Sequence, residues 1–211
     1  LAATPLAAPL VLALHDGILA RGAWLALRIS LPGQAASLYR HAPDDLLARA
    51  TAFEQLEARA ITKRITIQSA ADPREAAGLD PRRLARFQKA RAPLRKLWHG
   101  RRWVLTLYPT AGYAANAGLS LPAFTRFVAQ ALHLDHRQPA RAWAAVARRQ
   151  QALIERLAGA RRVRIEAPDT DLTLSVRGRT FVNCRGLTNL PDGEVFCAPV
   201  ETSAQGWIRY S

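Results

Sequence analysis

The run W-V-L-T-L-Y, Trp103 to Tyr108, decides how the chain is read. Its near-continuous apolar character suits a strand covered on both faces, as in a parallel sheet. Working upstream, I-T-K-R-I-T-I-Q, Ile61 to Gln68, is rich in β-branched residues and partly alternates, which predicts a second strand. Between the two, Asp80-Pro81 supplies an acidic cap and a first-turn proline for a helix carrying Leu84, Phe87, Ala90 and Leu94 on one side. Pro93 is expected to bend or end that helix. Further back, W-L-A-L-R-I-S-L, Trp24 to Leu31, reads as a strand closed by Pro32-Gly33, and Leu6, Leu10, Val11, Leu14, Ile18 and Leu19 mark a helix before it. Two shorter helical pieces are expected around Gln34 to Arg40 and Pro43 to Arg59.

Downstream of Trp103, helices are expected over Thr110 to Ala117, Ser120 to Leu132 and Pro139 to Ala158, with stops at Gly118 and Gly159. Alternation of strand and helix predicts an α/β layer with a mostly parallel sheet over residues 1–159. Past Gly159 the pattern changes to V-R-I-E-A, D-L-T-L-S-V, R-T-F-V-N, E-V-F-C-A and G-W-I-R-Y, short alternating segments separated by turn residues. These predict antiparallel β structure with no helix left to cover it. Residues 160–211 are therefore expected to open a second domain.

The 211 residues are 49% hydrophobic, enough to bury a core. The formal charge of +14 raises nucleic acid as a partner, but Lys63, Lys89 and Lys96 are the only lysines, and the arginines are dispersed in short pairs. With abundant Ala, that skew reads as coding bias, and no stripe of interleaved basic and aromatic residues supports a nucleic-acid surface. Leu1 to Leu14 is apolar but is interrupted by Pro5 and Pro9, has no basic leader, and is shorter than the ~20 residues of a membrane span. It reads as a core helix. The start at Leu1 and the lack of any Met suggest a fragment. Two cysteines, Cys184 and Cys197, without a Cys-x-x-Cys spacing, fit a reducing cytoplasm.

Chemistry is sparse when residues are taken one by one. Among His15, His41, His99, His133 and His136, only His133-Leu-Asp-His136 has metal-like spacing, and histidine at a helix end is favoured there by the dipole alone. Asp169 and Asp171 could share a cation but are more simply turn caps. There is no Gly-x-Ser-x-Gly elbow, no Gly-x-Gly-x-x-Gly and no Gly-Lys-Ser/Thr phosphate loop. Glu194, just after Pro191-Asp192-Gly193, would by itself read as a solvated carboxylate.

Longer strings change that reading. N-L-P-D-G-E-V-F-C-A-P-V-E-T-S-A-Q-G-W-I-R-Y-S, Asn189 to Ser211, resembles the aminopeptidase T family of thermophilic-type metallo-aminopeptidases, whose pattern is N-x-P-x-G-E-V-F-T-x-P-x-E. Leu84 to Leu94, Trp103 to Thr110, Ala117 to Leu121 and Ala167 to Asn183 are similar to family segments in the same order. The resemblance implies a two-domain cytoplasmic enzyme, dimeric when full length, that releases N-terminal residues from peptides with a free amino terminus. It also implies two divalent ions (Zn, Co, Mn or Mg) in the C-terminal domain, with Glu194 as the first metal ligand. The other ligands and the catalytic residue would lie beyond Ser211, leaving no catalytic residue in this chain, and the N-terminal domain would lack its first helix and strand. Two positions depart from the pattern: Cys197 replaces the usual Thr, and Arg185 in N-C-R-G replaces the usual Asp of N-S-D-G. The alternatives are a non-catalytic interaction or dimerisation module of the same descent and a basic nucleic-acid-binding protein.

Overall fold

A computed structural model describes residues 1–98 and 100–209. His99, and Tyr210 at the end of the expected strand G-W-I-R-Y, lie outside the described residues, as does Ser211. The chain is a mixed α/β protein that separates into two compact units, Leu1–Ala131 and Leu132–Ser211.

In the first unit the order is β1 (Ala2–Ala3), α1 (Ala8–Leu19), β2 (Arg28–Ile29), α2 (Gln34–His41), α3 (Asp44–Leu47), α4 (Ala52–Ala60), β3 (Lys63–Gln68), α5 (Pro81–Lys96), β4 (Arg102–Leu107), α6 (Ala111–Asn116) and α7 (Leu121–Ala131). Strands β2, β1, β3 and β4 lie side by side and are parallel, with Lys63 opposite Arg102 and Gln68 opposite Leu107. The parallel layer expected from Trp103–Tyr108 is thus present, although Val104 to Leu107 are half-buried and Trp103 is exposed. Ala3, Ala7, Val11 and Ile67 form the core between sheet and α1, with Leu10, Leu14, Ile65 and Tyr108 packed against them.

Two local expectations are corrected. The strand expected over Trp24–Leu31 shrinks to Arg28–Ile29, because its described neighbour β1 offers only two residues. Beyond Ala3 the chain leaves the ladder: the Thr4 hydroxyl donates to Ser69 O at 2.7 Å and accepts from Leu6 N, starting a 3-10 turn over Pro5–Ala7. Nor does Pro93 end α5, which continues to Lys96. Asp44 on α3 receives Arg83 and Arg86, and Glu54 on α4 receives Arg91 through two bonds of 2.7 and 3.0 Å. The proline removes one intrahelical bond; those anchors keep α5 seated on α3 and α4.

The second unit holds α8 (Pro139–Leu157), β5 (Arg162–Ala167), β6 (Thr170–Ser175), β7 (Val182–Cys184), β8 (Asn189–Leu190), β9 (Glu194–Phe196) and β10 (Gln205–Ile208). Strands β5, β6 and β10 make an antiparallel sheet in the order β10-β6-β5, and β7 pairs with β9 antiparallel. The antiparallel character expected past Gly159 is therefore found. The expectation that no helix covers it is not: α8 packs against β7 and β9, so it groups with the strands that follow and belongs to the compact unit Leu132–Ser211.

Candidate metal centre

The site grows from the β7–β9 ladder. In an antiparallel pair, directly opposed residues project to the same face with Cβ atoms about 4.5–5.5 Å apart. The register sets Val182 opposite Phe196, Asn183 opposite Val195, and Cys184 opposite Glu194. The thiol of the last β7 residue and the carboxylate of the first β9 residue are therefore neighbours on one face. The alternate residue Asn183 has its amide on α8, donating to Ala147 O at 3.1 Å and to Gln151 Oε1 at 3.4 Å.

The connection between the strands brings a third group back to this pair. Gly193, at φ 121, turns the chain into β9 in a conformation that a side chain rarely adopts, and its N–H donates to Cys184 O at 3.1 Å. One residue earlier, Asp192 accepts the Gly186 N–H on Oδ2 at 2.9 Å. Cys184, Asp192 and Glu194 then place one ligand atom each within 4.8 Å of one another. Among the described residues this is the one group of three or more His, Cys, Asp or Glu side chains so close together.

From α8, the buried Gln150 fixes the end of the ladder. Its Nε2 donates to Cys184 O at 3.2 Å and to Glu194 O at 2.5 Å. Beside the cluster lies a cavity of about 350 Å³, lined by Gln151, Asn183, Cys184, Arg185, Asn189 and Asp192 among others. Burial first, and then the negative charges of Asp192 and Glu194, push the Cys184 thiol above its ordinary pKa. The donor set is two carboxylates and a thiol.

Other sequence candidates fall elsewhere. Cys197 is past the end of β9 and does not join the cluster. His133 and His136 stack edge to face at 5.3 Å between ring centroids, and His133 stacks likewise on Trp143 at 5.0 Å; neither belongs to a three-ligand group. Asp171 takes a two-pronged contact from Arg164, with both bonds at 3.0 Å, and Asp169 faces Arg209 at 3.6 Å, so each is matched by an arginine. In the first unit, a cavity of about 510 Å³ is lined by Phe53, Leu56, Phe87, Leu94 and Trp98 with the Glu54–Arg91 pair; it offers apolar surface and no such ligand group.

The donor set fits a divalent cation. Zinc is held at about 2.0–2.3 Å, so ligand atoms sharing one ion lie about 3–4 Å apart. Three donors also leave a coordination position open, as catalytic metal sites require. Asp192 and Cys184 were missed when the sequence was read alone. The available signal was the Pro-Asp-Gly turn feeding E-V-F, which places Asp192 two residues from Glu194; nothing local pointed to Cys184.

The whole chain, residues 1–211, matches the family model described as thermophilic metalloprotease (M29). This protein belongs to that family, and the membership implies metallopeptidase chemistry with divalent metal. Comparison with curated proteins gives no match. No helix among the described residues is long and apolar enough to cross a membrane.

Proposed function

We propose that the chain is part of a metal-dependent aminopeptidase that releases N-terminal residues from peptides, and that Glu194 is one of its metal ligands. The observation that carries the reading is the placement of Glu194. It opens β9 after a glycine turn, its backbone is pinned by Gln150, and its carboxylate converges with other metal donors. Divalent ions in such sites supply Lewis-acid polarisation of the scissile carbonyl. This chain's residues contribute the binding and the orientation. The β7–β9 ladder holds Glu194 on rigid backbone, Asp192 is steered by the Gly186 N–H, and Arg185 at the cavity supplies a positive charge to attract the carboxylate of a short peptide.

A two-ion site needs more ligands than the three that the described residues bring together. The 211-residue chain therefore binds metal without hydrolysing peptides. The two free cysteines suit a reducing compartment. Leucine amide hydrolysis with and without a chelator tests the reading. Glu194→Gln in the complete enzyme should remove metal occupancy and activity together, whereas a fully loaded and active variant would overturn the assignment. Chelator-sensitive hydrolysis by the 211-residue chain alone would overturn the claim that it is inactive.

A further inference from the structure

We infer that Cys184 is itself a metal ligand, so that the β7–β9 ladder binds one thiophilic or borderline divalent cation through a sulfur and two carboxylates. The inference rests on the reading of Glu194 as a ligand and adds to it the sulfur, the third donor and the class of ion.

Three features place the sulfur. Cys184 is the direct ladder partner of Glu194, so their side chains share one face without any loop rearrangement. Gln150 bonds the carbonyls of both residues, holding the two strand ends at a fixed spacing. Asp192 is oriented through Oδ2 by the Gly186 N–H, and a carboxylate oxygen of it completes the set within the 4.8 Å grouping. The other thiol, Cys197, is only three residues from Glu194 in sequence but lies outside that grouping.

Ligand chemistry then selects the ion. All-oxygen donor sets suit Mg²⁺ and Mn²⁺, whereas thiolate shifts preference toward Zn²⁺, Co²⁺ and Cd²⁺. On binding, the S–H bond breaks, its electron pair is donated to the cation, and the proton leaves to solvent, so one proton is released with no change of oxidation state. Two carboxylates and one thiolate carry more negative charge than a single divalent ion neutralises. Arg185, next in sequence to Cys184 and at the same cavity, offsets part of the excess.

The test is a Co²⁺ titration of the 211-residue chain, followed by absorption. The expected result is a near-ultraviolet sulfur-to-cobalt charge-transfer band that Zn²⁺ abolishes by displacement and Mg²⁺ does not. Cys184→Ser should lose the band and weaken Zn²⁺ binding by at least about tenfold, a loss that even outer partners of a ligand produce; Cys197→Ser should keep both. As a check independent of any variant, Zn²⁺ should protect Cys184 but not Cys197 of the unaltered chain from alkylation, read by peptide mass spectrometry. Cobalt bound without the band, or equal alkylation of Cys184 with and without Zn²⁺, overturns the inference. Loss of that band-free binding in Glu194→Gln would leave the Glu194 reading standing. A band that persists at full affinity in Glu194→Gln would instead support the sulfur ligand and overturn the Glu194 reading.

Discussion

Cys184 lies directly across the β7–β9 ladder from Glu194, and the carbonyls of both accept hydrogen bonds from the side-chain amide of Gln150 on α8. One buried glutamine thus sets the spacing of two donor residues that are ten positions apart in the chain.

Replacing it tests the arrangement. Gln150→Ala removes the side-chain donor from Glu194 O and one of the two donors to Cys184 O, which keeps the Gly193 N–H, in a place where Gln150 is only 8% exposed. Loss of a buried partner costs about 1–3 kcal/mol. Urea denaturation should show that loss for the second unit, and Co²⁺ or Zn²⁺ affinity should fall with it. A variant as stable as the parent and with unchanged affinity would show that the amide does not hold the ladder end.

The sheet of the second unit depends on a glycine in a different way. Gly206 in β10 has φ 115, and a Cβ there would come within 1.9 Å of Asp171 O on the paired strand β6. Gly206→Ala therefore combines a backbone conformation costing of order 1–3 kcal/mol with a main-chain clash. Hydrogen exchange should show β10 amides losing protection, while the β5–β6 pairing survives. Gly178, also at positive φ (70) but with open space around its Cβ position, should accept Asn with little change. Equal losses at both positions would assign the effect to φ alone.

The first unit has a comparable close approach. At Gly112 in α6, an added Cβ would meet Ala71 O at 1.9 Å, beside the bond from the Thr110 hydroxyl to Ala70 O at 2.7 Å. Helix propensity alone favours Ala over Gly by about 1 kcal/mol. Gly112→Ala should nevertheless lower the melting temperature, because the carbonyl that must move is backbone. A rise in melting temperature would show that the Ala71 turn yields freely.

How much of this was legible in the sequence follows from the range of the interactions involved. Trp103–Tyr108 and Ile61–Gln68 were readable because apolar and β-branched runs report strands locally, and their parallel pairing follows from the helix between them. Trp24–Leu31 had the same local signal, yet only two residues pair, since strand length is set by the neighbour as well as by the segment. Pro93 signalled a helix bend or end, and the end does not come, because Asp44 and Glu54, contributed by α3 and α4, hold α5 through Arg83, Arg86 and Arg91. Glu194 was legible through its motif. Cys184 was not, because its approach to Glu194 depends on the register of a ladder closed over a nine-residue connection, and a one-residue slip would have sent the thiol to the opposite face. Proximity in sequence favoured Cys197, and ladder register selected Cys184.

The pairing of Glu54 with Arg91 makes the stability of the first unit depend on pH in a defined direction. Burial alone would raise the Glu54 carboxyl, but the hydrogen bonds from Arg91, and then those from the Thr51 N–H and hydroxyl at the start of α4, outweigh it and leave the group below its ordinary value of 4.5. A group whose pKa is lower in the folded state contributes stability that is fully present above its unfolded pKa. That contribution is lost as pH falls through the folded pKa. Both side chains are largely buried, at 18% and 15% exposure, so solvent screens the pair only weakly. Glu54→Gln removes the charge while keeping the shape, and should cost about 1–3 kcal/mol at neutral pH. In urea denaturation series across pH, the gap between parent and variant should be constant from pH 7 down to the unfolded pKa, then close as the parent's Glu54 protonates. A gap that widens on acidification would mean that Glu54 is held above its ordinary value, and that burial outweighs the Arg91 fork.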